Sequence, residues 1–370
     1  MANVQNLPDN GNPSGLWASF VYAVARTTTF ADYFEPLIQL VKPSFVAGKI
    51  PARVVQVRHE NDHVFSLILK PGRGFKGFTA GQYVELCVER DGRRFSRYFS
   101  ISSGVQQFRQ QGTIELSIRV QEKGHITPWL RMALTTGAKV HLGHAQGEFV
   151  LKASDKPLLM LAGGSGITPF RSMLAGLQDY PAAVTLLYYA QDASAHLFKR
   201  ELLARQADMP HVRVVLVDTS LEGFFSQQHL DVYCPDYAAR DIYICGPSAM
   251  ITHSRQLLAE LGVAQGNIHF EFFGPAPLQL DGIATAGVTE FRRSGKQSIN
   301  PEQQQTLLDM AENAGLKPAS GCRMGVCYQC ICKKESGVVL NTKTGQYSDT
   351  GAQDVQMCVS VPVGDVVLDI

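Results

Sequence analysis

The chain has 370 residues, 45% of them hydrophobic and 18% charged, with 34 basic against 33 acidic side chains and a formal net charge of +1. At about 150 residues per domain, that length holds two or three domains, and the composition is ordinary for packed globular units. Near-neutrality excludes both the basic field of a nucleic-acid binder and the acidic run of a solvated tail.

Residues 1–48 read as an N-terminal helical strap. Its longest apolar run, Leu16–Ala25, is ten residues, about half of the roughly 20 that span a bilayer. No basic cluster precedes it, as a secretory signal requires. A cytoplasmic location with reduced thiols is therefore expected. The strap suits packing on the body, or peripheral contact with the inner face of the cell membrane or a partner.

Residues 49–152 hold short runs rich in Val, Ile and Tyr, among them "ARVVQV", "HVFSLIL", "YVELCVE" and "IELSIRV", punctuated by "HENDH" and "RDGRR". Such runs predict an antiparallel barrel built from hairpins. Over residues 153–275 the period lengthens. The strands "PLLMLAGG", "AAVTLLYYA", "VRVVLVDT" and "DIYICG" alternate with the helical "HLFKRELLARQ" and "SAMITHSRQLLAELG", which predicts an α/β unit on a parallel sheet. Residues 276–287 read as a linker. Residues 288–370 read as a smaller α+β unit: a hairpin turned at "SGK", then a helix. The expected caps of that helix are Asn300 at the N-cap, Pro301 in the first turn, Gln303 at the capping-box position and Gly315 at the stop.

Five of the eight cysteines fall between Cys322 and Cys358. Four-cysteine zinc sites come as two paired C-x2-C knuckles. Here Cys322, Cys327 and Cys330 follow C-x4-C-x2-C, and Cys358 comes much later, the spacing of a plant-type 2Fe-2S loop. Gly321 and Gly325 supply the small positions such a loop needs to turn backbone N–H groups toward sulfur. Cys332 breaks the spacing and reads as a packed strand residue.

Three further motifs are each weak alone. "RYFS" (Arg97, Tyr98, Phe99, Ser100) lies on a predicted strand. "GHIT" (Gly124–Thr127) turns into a helix with Pro128 in its first turn, an arrangement that can cradle phosphate, with an arginine able to fork onto the same group. "LAGGSGITP" (Leu161–Pro169) joins a strand to a helix, but it lacks the G-x-G-x-x-G fingerprint. "CGP" (Cys245, Gly246, Pro247) ends a later strand, where a buried cysteine is commonplace.

Taken in order, these motifs resemble the ferredoxin–NADP reductase superfamily over about Pro51–Pro275, and a plant-type ferredoxin from Val288 to Ile370. The resemblance implies a flavin barrel, a nicotinamide domain and a β-grasp ferredoxin domain. By position it implies that Arg97 binds the pyrophosphate of FAD. Phe99, where the family more often has Tyr, would lie against the isoalloxazine beside Tyr98, with Ser100 near flavin N5 and Gly124 and Thr127 at phosphate. "GEF" (Gly147–Phe149) also fits. It further implies that Gly163, Gly164 and Gly166 admit the dinucleotide, with Thr168 and Pro169 at its nicotinamide end. Cys245, Gly246 and Pro247 would flank the hydride-transfer site, and Glu271 and Phe273 on the last strand would approach the flavin. Ser100, Cys245 and Glu271 are the candidate catalytic residues, and Cys322, Cys327, Cys330 and Cys358 the cluster ligands. Gln191 and Asp192 stand where NADPH-specific relatives carry arginine, while Lys199 and Arg200 offer substitute cations, so the donor is written NAD(P)H.

The module order resembles that of bacterial ferredoxin reductases serving membrane fatty-acid or acyl-CoA desaturases. The expected function is electron transfer from NAD(P)H through FAD to a 2Fe-2S cluster and on to a separate desaturase, by a monomer. One alternative is the reductase component of a ring-hydroxylating, alkane or haem oxygenase. Another, of a different class, is a non-catalytic redox-sensing or metal-binding module. Arg323, Met324 and Tyr328 are the loop residues expected to meet a partner.

Overall fold

The computed structural model describes residues 46, 48–90, 93–122, 124, 126–272, 287–300, 305–321, 323–325 and 328–370. Nearly all of the strap at 1–48 lies outside these residues, as do residues 276–286 of the linker and the site candidates Phe273, Cys322 and Cys327. No helix among the described residues is long and apolar enough to cross a membrane.

The first unit has six strands, β1 (Ile50–His59), β2 (Val64–Pro71), β3 (Tyr83–Arg90), β4 (Arg93–Ser100), β5 (Ile114–Arg119) and β6 (Lys139–Leu142), and two helices, α1 (Val105–Gln111) and α2 (Thr127–Ala133). The sheet order is β4-β3-β6-β1-β2-β5, with every pair antiparallel. A bridge between Ile101 and Leu116 joins the two ends and closes the barrel. Val54, Leu67, Val84, Leu86, Leu116 and Leu142 fill the interior, and α2 caps it with Leu130. Strand β6 and helix α1 are short and mixed in character, so the pattern of the sequence does not reveal them.

The second unit is a parallel sheet of β7 (Leu158–Gly163), β8 (Val184–Ala190), β9 (Val212–Asp218), β10 (Asp241–Gly246) and β11 (Ile268–Phe272), in the order β11-β10-β7-β8-β9. Its helices are α3 (Ile167–Leu174), α4 (Lys199–Asp208), α5 (Thr219–Glu222), α6 (Gln227–Tyr233) and α7 (Ser248–Glu260). Side chains alternate along each strand. Leu158, Met160 and Ala162 therefore pack against Phe170 and Met173 on one face, while Leu159 and Leu161 pack against Leu230, Ile251 and Leu258 on the other. Strand order reverses between β7 and β10, the position where open α/β sheets bind ligands.

The third unit is a mixed sheet of β12 (Val288–Phe291), β13 (Lys296–Ile299), β14 (Ile331–Asn341), β15 (Gln346–Tyr347), β16 (Gln353–Gln356) and β17 (Ser360–Leu368), with β12 parallel to β17. Helix α8 (Leu307–Asn313) packs Leu307, Leu308, Met310 and Ala311 onto it. The expected N-cap at Asn300 is corrected to Thr306, whose Oγ1 accepts a hydrogen bond from Asp309 N at 3.1 Å. Asn300 is held by tertiary bonds instead: Thr289 Oγ1 donates to its Oδ1 at 2.8 Å, and its Nδ2 donates to Gly364 O at 2.9 Å. Pro301 and Gln303 lie outside the described residues. Gly315 does follow the helix with a left-handed φ of 75°.

A buried charge network joins the first two units. Arg171 on α3 is only 8% exposed. Its Nη1 meets Glu115 Oε1 at 2.7 Å, its Nε meets Glu201 Oε2 at 2.8 Å, and Arg58 Nη2 reaches the same Glu115 oxygen at 2.6 Å. The guanidinium also lies 4.3 Å from the ring centre of Phe198.

Candidate functional site

The β3–β4 hairpin carries the first motif. Its register sets Tyr83 opposite Ser100, Val84 opposite Phe99, Glu85 opposite Tyr98 and Leu86 opposite Arg97. Opposed residues share a face. Arg97 and Phe99 therefore point with Leu86 and Val84, and Phe99 is half-buried against the barrel core. Tyr98 and Ser100 point the other way, where Tyr98 meets Tyr83 edge-to-face at 5.9 Å. Ser100 is buried, and Arg97 Nη1 donates to Ser96 O at 2.7 Å.

At the second motif, Gly124 N donates to Gln121 O at 2.7 Å and Gln121 N donates to Thr127 Oγ1 at 2.8 Å. The Thr127 oxygen thus accepts within its own turn and keeps its hydrogen for a ligand.

On the nucleotide side, two glycine turns meet at the point where strand order reverses. A Cβ on Gly166 would lie 2.2 Å from Cys245 O, and one on Gly163 would lie 2.4 Å from Met250 Sδ and 2.9 Å from Pro247 Cδ. Gly164 adopts a left-handed φ of 53°. The backbones of the β7–α3 and β10–α7 turns therefore touch, an approach that only glycine permits at these positions. Tyr188 on β8 steadies the turn: its hydroxyl donates to Gly164 O and accepts from Leu197 N, both at 3.0 Å. Thr168 donates to Ser165 O at 3.0 Å and is buried with Pro169. Its hydroxyl hydrogen shapes the turn.

Beyond β8, Asp192 Oδ1 accepts from Ser194 Oγ at 2.6 Å, Ser194 N at 2.9 Å and Ala195 N at 3.2 Å. The Ser194 bonds lead in holding this exposed carboxylate below its ordinary range, so it stays an anion at the strand end. Lys199 and Arg200 are exposed on the first turn of α4.

Cys245 and Glu271 pair in register on β10 and β11. Cys245 is fully buried, and burial followed by the Glu271 charge pushes its thiol well up. Burial also raises the Glu271 carboxyl to about 8, against the opposing pull of Lys343. Its Oε2 is buried with no hydrogen-bond partner among the described residues. A Cβ on Gly147 would lie 2.9 Å from Tyr83 and 3.8 Å from Glu271 Oε1. Barrel, parallel sheet and third unit therefore converge around one carboxyl. Lys343 and Tyr83 belong to this junction, and neither carries a local sequence signal, because only the docking of three units brings them there.

In the cysteine loop, Cys330 and Cys358 are buried together, with Cys358 N donating to Cys330 Sγ at 3.4 Å and Met357 N donating to Cys330 O at 3.1 Å. An N–H aimed at sulfur is what a thiolate ligand to iron requires around it. Gly325 has φ 68°, and a Cβ there would lie 2.8 Å from Val359 Cγ1, so the loop needs glycine at that position. Arg323 and Tyr328 are left-handed as well. Cys332 packs in the core, its thiol donating to Lys333 O at 3.5 Å and pushed up to about 11 by burial. Arg323 is paired with Glu312, while Tyr328 is 60% exposed. The glycine cradle, the orphaned buried carboxyl and the sulfur-directed amide fit the dinucleotide, flavin and cluster that the resemblance implies.

Comparison with known proteins agrees. The chain matches an oxidoreductase FAD-binding domain over residues 54–151, an oxidoreductase NAD-binding domain over 160–256 and a 2Fe-2S iron-sulfur cluster binding domain over 291–363. It is 32% identical to an NADPH oxidoreductase of Mycobacterium tuberculosis, over 96% of this chain and 93% of that protein. It is 28% identical to a glycine betaine monooxygenase reductase subunit of Chromohalobacter salexigens, over 79% of this chain and 87% of that protein. The fold matches that of phthalate dioxygenase reductase with a TM-score of 0.59 at 22% identity, covering 87% of this chain and 98% of that one. The chain belongs to the ferredoxin reductase-type flavoproteins that join FAD-binding and NAD-binding domains to a C-terminal 2Fe-2S domain, and it is an NAD(P)H-dependent oxidoreductase that carries electrons by way of FAD to the cluster.

Proposed function

We propose that this chain is the reductase component of a two-protein oxygenase system, delivering electrons from its 2Fe-2S centre to a separate oxygenase. The observation that carries a separate acceptor is the open rim beside the cluster loop. Tyr328 and Ile331 flank Gln329 and Cys330 and are 60% and 48% exposed, and exposed apolar side chains next to a redox centre suit a transient protein contact. The glycine betaine monooxygenase reductase relative supports an oxygenase as the partner. The membrane desaturase expected from the module order is the competing acceptor, and none of the relatives described above is named for one.

In this reading Arg97, Tyr98, Phe99, Ser100, Gly124 and Thr127 hold FAD. Gly163, Gly164, Gly166, Thr168, Pro169, Cys245, Gly246 and Pro247 receive NAD(P)H, Phe273 approaches the flavin, and Cys322, Cys327, Cys330 and Cys358 ligate the cluster. Bound FAD supplies the exchange between a two-electron donor and a one-electron carrier. The protein's own part is to orient the groups and to control a proton: the raised Glu271 carboxyl holds one at neutral pH beside Cys245. Deleting the gene tests the partner. Loss of an oxygenase-dependent growth substrate with unchanged membrane fatty-acid unsaturation supports the proposal, whereas a fall in unsaturated lipid assigns the desaturase instead.

A further inference from the structure

Glu85 on β3 is a carboxylate of the flavin barrel that is only 4% exposed. Both of its oxygens are taken by groups from outside the barrel strands. Lys49, in the segment ahead of β1, brings its Nζ to Oε2 at 2.6 Å, and Gln329 of the cysteine loop donates from Nε2 to Oε1 at 3.2 Å. A buried carboxylate is costly unless it is paired and hydrogen-bonded, so these partners account for its presence.

The position of the contact gives it meaning. Gln329 immediately precedes Cys330, and Glu85 is directly opposite Tyr98 of the "RYFS" strand. One hydrogen bond therefore ties the neighbour of a cluster ligand to the neighbour of a flavin residue. The backbone is shaped to make it. Tyr328 takes a left-handed φ of 56°, a conformation that costs a non-glycine residue energy and persists only where surrounding contacts hold it. That turn leaves the Tyr328 ring in solvent while Gln329 enters the interface. Lys49, Glu85 and Gln329 wall a cavity of about 290 Å³ between barrel and loop, shared with Arg94, Arg97 and Ser320. On the far side of the loop, Lys343 Nζ donates to Gly325 O at 3.3 Å, and its charge acts on Glu271 of the nucleotide unit.

We propose that Lys49, Glu85 and Gln329 form a docking latch that fixes the ferredoxin unit on the flavin barrel in its electron-accepting position. Gln329 is a positioning residue: it acts on the placement of the cluster loop. Lys49 neutralises the carboxylate, so that Glu85 remains an acceptor inside the interface. The exposed Tyr328–Ile331 rim stays open while the latch is closed, leaving the docked form free to meet an acceptor.

The test uses the full-length holoprotein. Gln329→Leu removes the donor, and the pair Glu85→Gln with Gln329→Glu exchanges the two groups across the interface. Three readouts are taken: ferricyanide reduction, which draws directly on the flavin; cytochrome c reduction, which draws on the cluster; and the radius of gyration from small-angle scattering. The cluster absorption spectrum serves as a check on cofactor content. Loss of one charge-assisted hydrogen bond shifts the docked population on the order of tenfold. For Gln329→Leu the expected result is an intact cluster spectrum, unchanged ferricyanide reduction, a cytochrome c rate lowered by about that factor and a larger radius of gyration. The exchanged pair is expected to restore both the rate and the radius. An unchanged cytochrome c rate and radius in Gln329→Leu would overturn the proposal, as would an exchanged pair with an intact cluster spectrum that restores neither.

Discussion

Cys245 and Glu271 stand side by side on neighbouring parallel strands, a thiol with no exposure next to a carboxyl whose Oε2 has lost its contact with water. Burial raises both groups, and the Glu271 charge raises the Cys245 thiol further, so both stay protonated at neutral pH. The pair sits at the C-terminal end of the sheet, beside the point where strand order reverses.

Because the Glu271 carboxyl is raised to about 8 from an ordinary 4.5, the folded state binds more protons than the unfolded state between those values. Its contribution to stability is fully present below about pH 4.5 and is lost as pH rises through about 8. Glu271→Gln, which stays neutral, should flatten this part of the dependence of melting temperature on pH. The flavin-linked ferricyanide rate should fall through about pH 8 in the parent and lose that limb in the variant. A limb that persists in Glu271→Gln rules out Glu271 as its source.

Gly166→Ala should strike the nucleotide site without touching the flavin. The new methyl meets Cys245 O at 2.2 Å, so the two turns must separate. A displacement of this size at a reacting geometry can cost about 100-fold in rate. Stopped-flow reduction by NAD(P)H should slow by that order, with the flavin content of the purified protein unchanged.

Arg171→Leu should loosen barrel from parallel sheet. It leaves the buried Glu115 carboxylate with Arg58 and removes the bond to Glu201. Breaking a buried pair from one side costs about 3 kcal/mol. A urea melt followed by flavin fluorescence should show the loss, and a change below about 1 kcal/mol would mark the network as no stronger than a surface pair.

In the cysteine loop, Cys330→Ser and Cys358→Ser should each abolish the cluster absorption and cytochrome c reduction while ferricyanide reduction survives. Cys332→Ala should keep the cluster and cost about 1 kcal/mol of stability through lost packing. Iron analysis and visible absorption distinguish the two outcomes.

The three sheets were legible from the chain because strand and helix periods are local. "HENDH" separates β1 from β2, and Arg90 pairs with Arg93 in the antiparallel β3–β4 register, as the hairpin expected at "RDGRR" requires. The same holds for the glycine turn of "LAGGSGITP", which leads from β7 into the helix that begins at Ile167. Local pattern failed where a side chain had a distant claim on it. Asn300 looks like a cap, but Thr289 and Gly364 hold it from across the sheet.

The sequence by itself determined which chemistries are present and in what order, since cysteine spacing, glycine turns and strand periods are properties of neighbouring residues. Only the tertiary structure decided how the modules act on one another. The shift at Glu271, the Arg171–Glu115 joint and the Lys49–Glu85–Gln329 contact each need residues far apart in the chain to be buried together. Burial removes the water that would otherwise screen a charge or satisfy a hydrogen bond, so these energies arise only when the folded units close on each other.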